Sequence, residues 1–229
     1  MEIHKGIKII DLALKYKDIL IVADMHLGYE ESMNKKGILI PRFQMKDIKK
    51  RLGRIFEKAG KIKKIVITGD LKHEFGLISN QEWRDTLELL DYLKDKGEVI
   101  LIKGNHDTML KPIAEKRGVK VVDCFEVDDL IILHGDVVVP NLNKIIIIGH
   151  EHTAVSFSEK KYEKFKCFLK GKWKGHTLIA MPSFNDLTTG TDVTQNDLLS
   201  PFLQGNLKNF EVFIPDEKKV LYFGKLKDL

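Results

Sequence analysis

Residues 19–28 read ILIVADMHLG. Five apolar residues run without a break into Asp24, Met25 and His26. An unbroken aliphatic run, rather than an alternating one, is the pattern of a strand buried on both faces. The arrangement recurs: 65–68 runs into Gly69-Asp70, 99–103 into Gly104-Asn105-His106-Asp107, 130–133 into His134, and 145–148 into Gly149-His150-Glu151-His152. Helical periodicity lies between these runs. A stripe at Ile48, Leu52, Ile55 and Phe56 predicts a helix over 43–59, and one at Trp83, Leu87, Leu90 and Leu93 predicts another over 81–96. A shorter helix is expected over 108–116, with Pro112 early, where it is tolerated. From about residue 153 the chain is β-rich, with strands predicted at 166–170, 177–181, 210–214 and 219–223. Together these predict a layered α/β fold with a mixed sheet or a pair of sheets. Each early strand delivers its polar cluster at its C-terminal end, where α/β sheets place ligands.

The composition narrows the class. Of 229 residues, 43% are hydrophobic and 31% charged, with twelve Phe, which excludes disordered, collagen-like and disulfide-scaffold chains. One domain over 1–229 is expected. No apolar run approaches the ~20 residues needed to cross a bilayer, and residues 1–8 lack the apolar stretch of a signal peptide. The expectation is a soluble cytoplasmic protein without a membrane partner. Cys124 and Cys167 have no CxxC spacing and read as buried reduced thiols. A net charge of +5 favours polyanions only weakly.

Asp24 and His26 stand two residues apart, and on an extended chain such residues point to the same side and reach one ion. His150 and His152 repeat the device with two imidazoles. Asp70 and Asn105 each follow a glycine that lets backbone approach closely, and His106 and His134 add further imidazoles. Singly, each of these is weak. Five of the eight histidines fall in the strand-end clusters, however, whereas scattered surface histidines such as His4 and His176 would be the ordinary pattern.

The order DxH, GD, GNHD, H, GHxH resembles the calcineurin-like metallophosphoesterase superfamily from Asp24 to His152. The wording at 23–28 (ADMHLG), 37–43 (GILIPRF), 69–75 (GDLKHEF) and 149–152 (GHEH) is similar to its compact ICC-like branch, whose bacterial relatives include endonucleases associated with DNA ligase. The resemblance implies a four-layer αββα sandwich of two mixed β-sheets flanked by helices, and a two-metal site. It implies that Asp24, His26, Asp70 and His152 hold one metal and that Asp70, Asn105, His134 and His150 hold the other, with Asp70 bridging. Oxygen and imidazole donors without thiolate suit Mn²⁺ and also admit Fe, Zn or Ni. The implied reaction is in-line attack of a metal-bridging hydroxide on phosphorus, with His106 of the catalytic Asn105-His106-Asp107 run protonating the leaving group. The substrate class the resemblance implies is a phosphodiester: DNA, RNA or a cyclic nucleotide. Association with DNA-repair proteins is implied by the relatives alone.

Several residues keep two readings. Asp107 either orients His106 or caps the helix that follows it. His73 either lines the substrate side of the site or is structural, and Arg42 is either a phosphate contact or a surface residue. Asp136 stands where a residue supporting His134 would be, and Trp83 is most simply core. Two basic stretches, Lys46 to Lys64 and Lys160 to Lys174, either track a phosphate backbone or form solvated lysine faces. The same metal core also serves phosphomonoesterases and protein phosphatases. A non-catalytic module on this fold is the remaining alternative, disfavoured because His106 and all seven ligand positions are present.

Overall fold

The chain opens with three short antiparallel strands, β1 (Glu2–His4), β2 (Ile7–Ile10) and β3 (Ala13–Tyr16), which the sequence reading did not separate. They continue into β4 (Ile19–Val22), β5 (Lys64–Ile67), β6 (Glu98–Ile102) and β7 (Lys120–Val122), so that one seven-stranded sheet runs in chain order, antiparallel at first and parallel from β4 onward. This computed structural model describes residues 1–229 apart from 77, 143, 158, 159, 196 and 217, and without the side chains of 160–162.

A second mixed sheet contains β8 (Cys124–Val127), β9 (Leu130–Leu133) and β10 (Ile145–Ile148), with β9, β10 and β14 (His176–Ala180) parallel at its centre. β13 (Phe168–Trp173), β16 (Glu211–Pro215) and β17 (Val220–Lys225) extend it by antiparallel pairing. A small third sheet joins β11 (Thr153–Phe157), β12 (Lys160–Lys166) and β15 (Thr191–Asp192).

The period of two along each central strand explains the layers. On β4 to β6, Leu20, Val22, Ile65, Ile67, Val99 and Leu101 turn outward to the helices, while Ile19, Ile21, Val66, Ile100 and Ile102 turn inward to Leu130, Ile132, Ile147 and Ile179 of the second sheet. The helices are α1 (Tyr29–Lys35), α2 (Gln44–Ala59), α3 (Asn80–Lys94) and α4 (Lys111–Glu115). α2 buries Ile48, Leu52 and Ile55, the stripe read from the sequence. In α3 the buried face is Thr86, Leu89, Leu90 and Leu93, so Trp83 and Leu87 lie at its margin, with the Lys116 ammonium 4.4 Å above the Trp83 ring. The far face of the second sheet is covered by Val155, Val193, Phe202, Leu203, Leu207 and Phe210. That fourth layer is made of turns and the small sheet, because 182–209 is rich in Ser, Thr, Asn, Asp, Gly and Pro, which favour turns over helix. No helix among the described residues is long and apolar enough to cross a membrane. Both cysteines are free thiols, Cys167 buried and Cys124 half-buried.

Candidate metal centre

β4, β5 and β6 in one sheet and β9 and β10 in the other end at the same edge of the sandwich, and each delivers its polar cluster there. Pairing continues past the strand ends: His26 N–H donates to the Asp70 carbonyl at 2.9 Å and Leu27 N–H to that of Leu71 at 2.8 Å. The two sheets are stitched at the site. Phe184 N–H reaches the Ala23 carbonyl at 2.8 Å, the Ser183 hydroxyl reaches the Asp24 carbonyl at 2.9 Å, and His150 N–H donates to the Asp24 carboxylate at 3.0 Å. Buried Glu151 accepts the N–H groups of Leu199 and Ser200 at 2.8 Å each, fixing the loop between His150 and His152.

Five of the expected ligands, Asp24, His26, Asp70, His150 and His152, have left-handed backbone with φ between 46° and 64°. Side-chain-bearing residues adopt this region at a cost of on the order of 1 kcal/mol or more each, so the packing around them must hold the strain. Gly104 shows why the motif begins with glycine: a Cβ there would lie 2.2 Å from Asp70 Oδ1. At Gly149 a Cβ would lie 2.6 Å from Asp24 Oδ2.

The side chains converge in two groups sharing one carboxylate. Asp24, His26, Asp70 and His152 place one donor atom each within 4.8 Å of one another, and so do Asp70, His134 and His150. Asn105 joins the second group, its Oδ1 2.9 Å from His134 Nε2. His134 Nδ1 meets the Thr68 carbonyl at 2.8 Å, and since a carbonyl only accepts, Nδ1 carries the proton and Nε2 faces Asn105 and Asp70. His26 Nε2 and His152 Nε2 face each other at 3.0 Å.

Burial dominates the electrostatics. It lowers the pKa of His26 well below the usual imidazole value, that of His152 to about 3, and that of His150 as well, so these rings are neutral. Burial, reinforced by Asp70, raises Asp24 well above the carboxylate range. For Asp70 burial acts in the same direction but is outweighed by His134, His26 and His106, and it stays below its ordinary value. His134 reverses the pattern: burial lowers it, and the hydrogen bond to Asp70 with the Asp24 charge lifts it to about 9. Two buried carboxylates with converging imidazole and amide acceptors therefore share one cationic ring. That donor set fits divalent cations, which would complete the acceptors on both sides of Asp70.

His106 sits beside this cluster, its N–H on Asp70 Oδ1 at 3.0 Å and its Nε2 3.9 Å from Asp70 Oδ2. Its Nδ1 donates to the His73 carbonyl. His73 is brought into the site: its Nδ1 lies 3.4 Å from His26 Nδ1, and His26, His73 and His106 form a third group of converging imidazoles. Asp107 does neither thing expected of it. Its carboxylate accepts N–H groups of Leu71 at 3.1 Å, Lys72 at 3.3 Å and Gly104 at 3.1 Å, tying the β5 loop to the β6 loop. α4 begins at Lys111 with Leu110 before it and no side-chain cap, shorter than the sequence predicts. Burial and the Asp70 charge raise Asp107 to about 6.

Arg42 is exposed and lines a surface depression with Glu30, Lys46 and Glu88 that contains no expected ligand. A cleft of about 550 Å³ opens beside Asn105 and His134, walled by Lys103, Thr108, Asp136 and Val137. The Asp136 charge offsets part of the lowering of His150. Sequence reading missed Phe75, whose ring covers His106, and the bracing role of Ser183. The first basic stretch is largely paired: Lys49 with Glu88 at 2.6 Å, Arg51 with Asp11 and Asp186 at 3.0 Å, Lys63 with Asp18 and Lys64 with Glu98. In the second stretch, Glu159 and the side chains of Lys160, Lys161 and Tyr162 lie outside the described residues, and Lys166 points inward to the carbonyls of Ser183 and Asn185.

The family model described as calcineurin-like phosphoesterase matches residues 17–170, more than half the chain. Among solved structures, the Pseudomonas putida nuclease MPE shares the fold, with a TM-score of 0.71 and 18% identity over 97% of this chain and 98% of that one. An Aquifex aeolicus protein of unknown function, AQ665, aligns over 63% of this chain and 82% of its own at 16% identity, with a TM-score of 0.38. No curated protein matches the sequence.

Proposed function

Because the chain belongs to the calcineurin-like phosphoesterase family, we propose that it is a two-metal phosphodiesterase acting on nucleic acid. The observation that carries this reading is the shared position of Asp70 between two ligand groups, with His106 seated against the same carboxylate. One group is Asp24, His26, Asp70 and His152, and the other Asp70, Asn105, His134 and His150. Divalent ions bound there, Mn²⁺ or else Fe, Zn or Ni, all compatible with oxygen and imidazole donors, would supply Lewis acidity toward phosphoryl oxygen and water of lowered pKa.

The chain's own residues supply positioning and proton transfer. The Thr68 carbonyl fixes the tautomer of His134, and the backbone N–H groups of His106 and His150 hold the Asp70 and Asp24 carboxylates in place. In hydrolysis, water adds to phosphorus, the ester P–O bond breaks, and the departing oxygen needs a proton. His106 carries that proton at Nε2, since its Nδ1 is committed to the His73 carbonyl. The group that leaves a nucleic-acid diester is an alkoxide of high pKa, which is where such an acid matters most. Full-length likeness to a protein described as a nuclease supports nucleic acid as the substrate.

The test is hydrolysis of bis-p-nitrophenyl phosphate against p-nitrophenyl phosphate with Mn²⁺, with an EDTA control and the His106→Ala variant. Metal-dependent preference for the diester is expected, and His106→Ala should lose far more rate on an oligonucleotide, whose alkoxide needs a proton to depart, than on bis-p-nitrophenyl phosphate, whose p-nitrophenolate leaves readily. Preference for the monoester would make the protein a phosphatase instead.

A further inference from the structure

A cavity of about 1100 Å³ lies at the opposite end of the sandwich from the metal centre and is lined by none of the expected ligands. Asp128 and Asp129, just before β9, and Lys144, just before β10, form part of its wall, whereas His134 and His150 follow the other ends of those strands. At ~3.3 Å per residue, the two sites stand roughly 15 Å apart along β9.

Its lining gathers lysines from four separate segments: Lys5 and Lys8 of the β1–β2 hairpin, Lys15 and Lys17 around the end of β3, Lys144, and Lys172 and Lys174 of the β13–β14 hairpin. Seven lysines and two aspartates contribute to the lining, and of these Lys15 turns its ammonium to the Ala59 carbonyl. Lys17 pairs with Asp128 at 2.8 Å and Lys144 with Asp129 at 3.9 Å. Among the described residues, Lys5, Lys8, Lys172 and Lys174 have no carboxylate partner.

Lys8 stands across from Glu2 as well as from Lys15, so the charge left to this wall is that of Lys5, Lys8, Lys172 and Lys174. Concentrated positive charge in a concave wall raises local anion concentration. Lysine ammonium groups act as point charges suited to phosphates without reading bases, and Tyr16 and Ile145 add apolar surface for sugar or base.

We propose that this cavity is a second, non-catalytic site that binds the phosphate backbone of single-stranded nucleic acid. The choice of nucleic acid among polyanions rests on the phosphodiesterase reading; the anion site itself does not.

The test is fluorescence anisotropy of a labelled single-stranded oligodeoxynucleotide in EDTA, where binding is read without hydrolysis and an inactive protein still reports. Lys5→Glu/Lys174→Glu is compared with Lys46→Glu/Lys50→Glu on α2, which makes the same charge change outside the cavity. The milder Lys5→Gln/Lys174→Gln serves should the reversal unfold the protein. The cavity variant is expected to weaken binding about tenfold or more and to reduce the salt slope by roughly 1.4, while the α2 variant changes little. Equal losses in the two variants would overturn the site in favour of diffuse attraction. Displacement of the oligonucleotide by inorganic tripolyphosphate at equal phosphate concentration would overturn nucleic acid as the ligand.

Discussion

The ring of Phe75 lies 3.7 Å from that of His106, centroid to centroid, although Phe75 is itself 62% exposed. The His73 ring lies 5.8 Å from that of His106 with 24° between the planes. With Phe75 against its ring and its Nδ1 bonded to the His73 carbonyl, the His106 imidazole is held in one orientation. If His106 is the proton donor proposed above, an aromatic ring in this position shields it from water. Phe75→Ala should therefore lower kcat for a diester by about ten- to a hundredfold, the scale of losing one well-positioned group, at unchanged metal content. A change confined to KM would make Phe75 a substrate contact only.

Asp70 belongs to both ligand groups, whereas His150 belongs to one. Asp70→Asn should abolish stoichiometric binding at both positions and His150→Ala at one, as measured by metal analysis after loading with Mn²⁺ and dialysis. Both should lose about a thousandfold or more in rate. Retention of two metals by Asp70→Asn would refute the shared-ligand assignment.

Asp107 makes a sharper distinction. Its two oxygens accept backbone N–H groups from Leu71, Lys72 and Gly104 and do not touch the His106 ring. In Asp107→Asn an amide NH₂ must face one of those donors, a cost of about 1–3 kcal/mol measurable by urea unfolding. The pH–rate profile should keep its shape. A displaced limb would mean that Asp107 does tune His106.

Sequence periodicity sufficed for the central strands because they are buried on both faces and read as unbroken aliphatic runs, from Ile19–Val22 to Ile145–Ile148. The convergence of the polar clusters followed from their position at those strand ends. What was hidden depends on contacts between distant segments. Asp107 looked like a cap because a helix was expected from residue 108, but its partners Leu71 and Lys72 lie 36 and 35 residues away. The β1–β3 strands are three or four residues long, too short to show a clear period. Lys166 read as one of a basic run, and only the fold shows its ammonium turned inward.

Gly104→Ala would place a methyl group 2.2 Å from Asp70 Oδ1 and 2.3 Å from the Asp70 backbone nitrogen. Backbone cannot yield there without moving Asp70, a proposed ligand. The variant should lose about 1–3 kcal/mol or more of stability, the usual range for overpacking, and should bind metal more weakly. Equal metal affinity in equilibrium competition with a chelator would show that the β5 and β6 loops separate more easily than their hydrogen bonds imply.

Lys166 offers a test of the bracing behind the site. Its ammonium donates to the Ser183 carbonyl at 2.7 Å and to that of Asn185, and the Ser183 hydroxyl in turn holds the Asp24 backbone. Burial pulls the Lys166 pKa from 10.5 down to about 8, against the attraction of Asp186. In the unfolded chain the amine keeps its proton to the higher value, so between the two pKa values unfolding takes up a proton. Stability therefore rises with pH across that window: the cost of burying charge is full below about 8 and gone above 10.5. The gain is at most about 3 kcal/mol. Lys166→Met has no proton to lose, so the stability difference between wild type and variant should change with pH over that window in urea titrations. A difference that stays flat would mean that Lys166 remains charged and that the two carbonyls meet its full desolvation cost.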